Sequence, residues 1–282
     1  MTFSALKNFI YQSLNSLYDP AEIQAFYFLL LTHYGKYTKT ELLAAPDTMV
    51  AANSLVLIKK AVEALKEYVP IQYILGETEF YSHKFIVNKA VLIPRPETEE
   101  LVDWVLNELK TEKHPLSIAD IGTGSGCIAI SLAKALPQAS VTAIDISGEA
   151  LAVAQTNAAN NGVTIRWQQQ DILATPSLTG QYDVIVSNPP YVRECEKAQM
   201  SANVLNYEPH TALFVGDDQP LVFYEQIASL AHTALKENGR LFFEINQYLG
   251  VPMKAMLLQK EFSKVEIRKD LSGNDRMILA KR

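Results

Sequence analysis

Apolar residues recur at helical spacing through the first 75 or so positions and then, beyond about position 116, in short β-branched runs separated by helical stretches. Leu6, Phe9, Ile10, Leu14 and Leu17 mark one helical face. Asp19-Pro20-Ala21-Glu22 then supplies an N-cap, a first-turn proline and a capping-box glutamate for a second helix. Ile23, Phe26, Tyr27, Leu30 and Leu31 form the apolar side of that helix, and Gly35 is read as its C-terminal stop. Further helices are expected over residues 40–45 and 47–68, the last ending before Pro70. Residues 1–75 are therefore read as a helical bundle. Its aromatic residues sit at core spacing and His33 is isolated, so no chemistry is assigned to it; its expected role is partner recognition.

The period changes after Gly76. Glu77-Thr-Glu-Phe-Tyr81, Ser82-His83 and Lys84-Phe-Ile-Val87 read as a β-hairpin, so residues 76–96 are expected to link two domains. The segment ends in Val91-Leu-Ile-Pro94-Arg95-Pro96, where two prolines hold one cation rigidly, and Glu97, Glu99 and Glu100 suit the first turn of the helix that follows. Arg95 is suited equally to gripping a substrate and to holding the linker. From Leu116 onward strands alternate with helices, which implies an α/β fold with a mostly parallel sheet covered on both faces. Strands are expected at 117–121, 141–145, 164–171, 182–187 and 240–245, with an antiparallel pair at 264–269 and 276–280. Residues 97–282 thus form a Rossmann-like domain.

Composition narrows the field. With 282 residues, 48% of them hydrophobic, the chain can fill a large core. The formal charge of −6 and the lack of a Lys/Arg run argue against a duplex nucleic-acid partner. Two cysteines, Cys127 and Cys195, are too few for a disulfide framework. There is no signal peptide and no run of about 18 apolar residues, so a cytoplasmic protein without membrane contact is expected. The scattered histidines and cysteines give no metal-ligand spacing, and no metal is expected.

Two motifs carry chemistry. The first is Tyr182-Asp-Val-Ile-Val-Ser-Asn-Pro-Pro-Tyr191, a buried-strand run that stops at a stiff corner. Pro189 and Pro190 remove two consecutive donors, leaving the Asn188 side-chain carbonyl, the Pro189 backbone carbonyl and the Tyr191 ring. Such a corner suits a planar –NH2 group. Two oxygens accept its hydrogens, the Tyr191 ring packs on its flat face, and the nitrogen points at whatever lies beyond. Holding that nitrogen in line with an electrophile can supply roughly 7–11 kcal/mol through orientation alone.

The second motif is the turn Gly122-Thr123-Gly124-Ser125-Gly126 between a strand and a helix, where a ligand can approach bare backbone. Its Gly-x-Gly-x-Gly spacing departs from the dinucleotide fingerprint. Asp145, ending the second strand, is placed for ribose hydroxyls, and Asp171, ending the third, for an adenine amino group. Ligands in open α/β sheets bind beyond the carboxyl ends of strands, where these residues and Asn188 converge.

Taken together, Ala-Asp-Ile-Gly-Thr-Gly-Ser-Gly, Ala-Ile-Asp-Ile and Val-Ser-Asn-Pro-Pro-Tyr over residues 117–191 resemble a class I S-adenosylmethionine-dependent methyltransferase. With Gly76-Glu-Thr-Glu-Phe-Tyr, Val91-Leu-Ile-Pro-Arg-Pro-Glu-Thr-Glu and Tyr207-Glu-Pro-His-Thr-Ala-Leu, the chain is similar to the peptide chain release factor N5-glutamine methyltransferases. The resemblance implies methyl transfer from S-adenosylmethionine, leaving S-adenosylhomocysteine, to the glutamine of a Gly-Gly-Gln motif in class 1 release factors, the proteins of translation termination. It also implies that Asn188 and Pro189 accept from the glutamine amide while Pro190 and Tyr191 enclose it. Cofactor contacts fall to Gly122–Gly126, Asp145, Asp171, Ile172 and Asn188, and a monomer is expected. Tyr207 departs from the family, which often has Phe there. A ribosomal-protein glutamine methyltransferase and a DNA or RNA amino-group methyltransferase present the same corner and stay open as alternatives. Against the nucleic-acid reading stands the lack of an inserted target-reading region.

Overall fold

The computed structural model describes residues 1–282 and divides into two compact units, Met1–Gly76 with Ser201–Tyr207, and Glu77–Met200 with Glu208–Arg282. In the first unit, α1 (Phe3–Leu14), α2 (Pro20–Gly35), α3 (Lys39–Ala44), α4 (Ala52–Lys66) and α5 (Ile71–Leu75) follow one another. Helix starts are set by side chains that take up orphan backbone donors. Asp19 Oδ1 accepts from the N–H groups of Ala21 and Glu22, both at 2.9 Å, and Thr38 and Glu41 complete a capping box. Leu6, Ile10, Leu14, Ile23, Leu30, Leu31 and Ile58 are fully buried together.

Two boundaries differ from the sequence reading. Helix α4 begins at Ala52, not near position 47, because Pro46 and Thr48 turn their carbonyls to the N–H groups of Ser4 and Phe3. Gly35 is the last residue of α2, and the left-handed C-cap is Lys36. Glycine at position 35 serves another purpose: a Cβ there would fall 2.4 Å from the Tyr37 ring, which would have to move.

The second unit opens with the hairpin β1 (Glu77–Phe80) and β2 (His83–Ile86), then α6 (Pro96–Leu109). Next come β3 (Ser117–Ile121), α7 (Cys127–Ala135), β4 (Ser140–Asp145), α8 (Gly148–Asn161), β5 (Arg166–Gln169), β6 (Tyr182–Ser187) and β7 (Val192–Arg193). Helix α9 (Ala202–Tyr207) belongs to the first unit, where the Tyr207 hydroxyl donates to the Glu67 carbonyl at 2.7 Å. The remainder is β8 (Phe214–Val215), α10 (Val222–Ala234), β9 (Leu235–Glu244), α11 (Gly250–Gln259), β10 (Lys264–Lys269) and β11 (Asp275–Lys281).

Seven strands form one sheet in the order β10-β11-β9-β6-β3-β4-β5, in which β9 through β5 are mutually parallel and β11 runs antiparallel to both its neighbours, β9 and β10. Val184 and Val186 of β6 pack on one face with Trp104, Ile130 and Phe242, and Ile185 packs on the other with Tyr224, Leu241 and Phe243. A strand buried on both faces needs an uninterrupted apolar run, which Val184-Ile185-Val186 supplies. Each such fully buried side chain contributes about 1.5–3 kcal/mol. The hairpin joins this core through Phe80 and Phe85. Asn157 ties it down further, accepting from Ile86 N at 2.6 Å and donating to the carbonyls of Ile86 and Ser125. No helix is long and apolar enough to cross a membrane.

One expected strand is shorter than read. It stops at Gln169, so Asp171 lies past the strand end, on a turn. The Asp171 Oδ1 accepts from Leu173 N at 2.9 Å, a local turn bond that competes with continuing the ladder.

Candidate active site

Strands β3 and β6 are neighbours, with Ile121 opposite Ser187, so the residues following each leave the sheet side by side. This is also where the strand order reverses, since β4 and β5 lie on one side of β3 and β6 and β9 on the other. Gly122, Gly124 and Gly126 all have left-handed backbones, with φ of 74°, 54° and 82°. A Cβ on Gly122 would lie 3.9 Å from the Asn188 carbonyl oxygen, and one on Gly124 would meet nothing within 4 Å. Those two glycines leave open room at the crevice. Gly126 does different work, because a Cβ there would press within 3.0 Å of Ile130 and 3.1 Å of Ala154. It lets α7 and α8 pack closely.

Thr123 and Ser125 are buried, so the turn offers its backbone more than its hydroxyls. The Thr123 hydroxyl donates to Asp120 Oδ2 at 2.6 Å, and the same oxygen accepts from Ala129 N at 3.2 Å. The other oxygen, Asp120 Oδ1, is buried with no protein partner. Burial pushes the Asp120 carboxyl up to about 7, against the opposing pull of those two donors.

Asp145 ends β4 with its side chain turned to the glycine turn. Its Oδ2 accepts from Gly124 N at 2.8 Å and its Oδ1 from Ser147 N at 2.9 Å. Each carboxylate oxygen can accept again. Beside it Ile146 is 58% exposed, and beyond the neighbouring β5 Leu173 is 42% exposed next to half-buried Ile172. Exposed apolar residues at adjacent strand ends suit the faces of a flat ring. The sequence reading missed Ile146 and Leu173, although an isoleucine directly after a strand-terminating aspartate is the signal that could have found one.

At the corner, Pro189 is buried and Asn188, Pro190 and Tyr191 are half-buried. Asn188 Nδ2 donates to Thr98 Oγ1 at 3.3 Å, Thr98 Oγ1 donates to Glu244 Oε2 at 2.6 Å, and the Tyr191 hydroxyl donates to Glu244 Oε1 at 2.9 Å. Glu244 is 1% exposed at the end of β9, and burial raises its carboxyl above the ordinary range. Burial, then the nearby Glu244 charge, drives the Tyr191 hydroxyl well above its ordinary range. Asn246 Nδ2 holds the Tyr191 carbonyl at 3.1 Å and Glu196 Oε2 at 2.9 Å. Neither Thr98 nor Glu244 is singled out by the sequence reading.

Arg95 is engaged elsewhere. Its Nη2 meets Glu208 Oε1 at 2.6 Å, while Glu208 Oε2 accepts from Ile93 N at 3.1 Å. Glu208 is 4% exposed, so a buried carboxylate anchors both the arginine and the backbone before it. The pair holds the linker segment in place, and the Arg95 side chain stays 32% exposed.

Comparison with known proteins bears on the whole chain. Residues 102–214 match the family profile described as the methyltransferase small domain, and residues 11–76 that of the PrmC N-terminal domain. The release factor glutamine methyltransferase of Flavobacterium psychrophilum is 50% identical over 269 residues, covering 95% of this chain and 94% of that protein. The chain belongs to the release factor glutamine methyltransferase family. The Bacteroides thetaiotaomicron member is 43% identical over 275 residues, spanning 97% of this chain and 98% of the other. A solved methyltransferase from Pyrococcus furiosus, 18% identical with a TM-score of 0.52 over 82% of this chain and 98% of that one, shares the fold.

In this release factor glutamine methyltransferase family member, the structure brings Gly122, Gly124, Asp145 and Asn188 together at the ends of three adjacent strands, with Pro189, Pro190 and Tyr191 continuing from the last. Asp171 and Ile172 stand past the next strand along. Thr123, Ser125 and Gly126 support the turn from within, and Arg95 is bonded to Glu208.

Proposed function

We propose that this protein transfers a methyl group from S-adenosylmethionine to the side-chain amide nitrogen of the glutamine in the Gly-Gly-Gln motif of class 1 peptide chain release factors. The observation that carries the reading is the abutment of the glycine turn and the Asn-Pro-Pro-Tyr corner, with the Asn188 carbonyl 3.9 Å from the place a Gly122 side chain would fill. A cofactor over the turn and an amide in the corner would then be neighbours.

The residues fit such a cofactor. The bare backbone at Gly122 and Gly124 leaves a cradle that any Cβ would narrow, and the unpaired Asp120 oxygen suits a cationic amine. Asp145 would accept from ribose hydroxyls, and Ile146, Asp171, Ile172 and Leu173 would border the adenine. When bound, S-adenosylmethionine supplies an electrophilic methyl group on a sulfonium, whose neutral thioether needs no acid to leave. The chain supplies geometry and acceptors. Asn188 Oδ1 and the Pro189 carbonyl would take the two amide hydrogens, returning electron density to a nitrogen otherwise delocalised into its carbonyl. Tyr191 and Pro190 would keep the amide plane from turning. As the N–C bond forms and the S–C bond breaks, S-adenosylhomocysteine leaves as a neutral thioether and the nitrogen releases one of its two protons to solvent, becoming a secondary amide.

Incubation with S-adenosylmethionine carrying a labelled methyl group and an unmodified release factor, followed by mass spectrometry, tests the reading. The label is expected on the Gly-Gly-Gln glutamine. Label on a ribosomal protein or on nucleic acid instead would replace it.

A further inference from the structure

The direction of hydrogen bonding behind the corner is fixed at its far end. Burial pushes the Glu244 carboxyl up, but the two hydroxyls and the Arg276 charge favour its ionised form, which can only accept, so the Thr98 and Tyr191 hydroxyls, at 2.6 and 2.9 Å from its two oxygens, both donate to it. Thr98 has then spent its only proton. Its oxygen can take part in the 3.3 Å contact with Asn188 only as acceptor, and the Asn188 group facing it must be the –NH2 end. The amide oxygen of Asn188 is left on the opposite side. An amide flipped the other way would set two lone pairs against each other in a part-buried contact.

We propose that Glu244 and Thr98 form a one-way relay that holds the Asn188 amide with its oxygen presented to the substrate, making both of them positioning residues for methyl transfer. The inference rests on the proposed activity and adds to it the reason one amide orientation prevails. Three separate elements build the relay: Thr98 lies in the first turn of α6, Asn188 follows β6 and Glu244 ends β9. The same carboxylate fixes the Tyr191 ring, so one buried group sets two walls of the slot.

The test uses the full-length protein, S-adenosylmethionine and a release factor with an unmodified Gly-Gly-Gln loop. Thr98→Val keeps the shape and removes the hydroxyl. It is expected to lower kcat by about 10- to 100-fold, the scale for losing a partner that orients a directly acting group. The calorimetric Kd for S-adenosylmethionine should stay within about twofold, a split that general loosening of the fold would not give. Thr98→Ser restores the hydroxyl and should recover most of the rate. Glu244→Gln keeps the volume but leaves one acceptor oxygen where the carboxylate has two, so the side chain can face Thr98 with either end and the direction of the relay is no longer imposed. Its kcat should fall, by less than for Thr98→Val. Folded Thr98→Val and Glu244→Gln variants that turn over like an active wild type would overturn the relay alone, as would a Thr98→Ser variant as slow as Thr98→Val. A wild type that leaves the glutamine unmodified would overturn the activity itself.

Discussion

The backbone carbonyl of Asn188 faces Gly122 across a gap in which a single added methyl group would sit 3.9 Å from the oxygen. Gly122→Ala fills that gap and forces a side chain onto a φ of 74°. The backbone cost is about 1–2 kcal/mol. The larger expected effect is on ligand access: calorimetry should show weaker S-adenosylmethionine binding, while the same change at exposed Gly162, also left-handed, should cost stability without touching affinity.

Asn188→Ala removes the side-chain acceptor while leaving both prolines in place. Loss of one preorganised polar contact to the reacting group costs about 10²–10³ in kcat. Steady-state assays should show that fall with the cofactor Kd changed far less. Near-normal turnover would remove Asn188 from the chemistry.

The Asp120 carboxyl is raised from 3.8 to about 7 by burial, so the fold favours its protonated form. A carboxyl whose folded value lies above its unfolded one imposes no cost below pH 4. The cost grows as pH rises from about 4 to about 7 and is constant beyond, where it is on the order of 2–4 kcal/mol. Asp120→Asn cannot ionise. Urea unfolding should therefore show the variant gaining stability relative to wild type between pH 4.5 and pH 8, and a difference independent of pH would refute the assignment.

Much of this could be read from the chain because it is local. The β6 run, the glycine turn and the Asn-Pro-Pro-Tyr corner are contiguous, and their periods and backbone restrictions act within a few residues. Asp171 lies beyond the end of its strand, where its side chain takes a turn bond from Leu173, and side-chain-to-backbone competition leaves no trace in an apolar pattern. Glu244 and Thr98 were invisible for a different reason: they are 146 positions apart, and a glutamate at the end of a strand reads as surface until the fold buries it. The Glu208 partner of Arg95 is likewise 113 positions away, so the linker motif alone left two roles open for the arginine.

That pair gives a further expectation. Removing the Arg95 guanidinium leaves the buried Glu208 carboxylate with only the Ile93 N–H. Breaking a fully buried pair costs about 3–5 kcal/mol, and the 32% exposure of the Arg95 side chain lowers that here to roughly 1–3 kcal/mol. Arg95→Ala should shift the urea midpoint accordingly. Unchanged stability with weakened release-factor binding would instead put the guanidinium in contact with the partner.

The departure of residues Ser201–Tyr207 from one unit into the other means that the backbone crosses between the two three times, at 76/77, 200/201 and 207/208. A cut at the first crossing therefore does not separate them. An amputated protein starting at Glu77 would keep α9 but lose the Glu67 carbonyl on which Tyr207 rests, stranding a short helix between the Asn-Pro-Pro-Tyr corner and Glu208. The leading helices are thus stitched into the loop that follows the corner, and trimming them would unravel the very stretch a minimal enzyme would need.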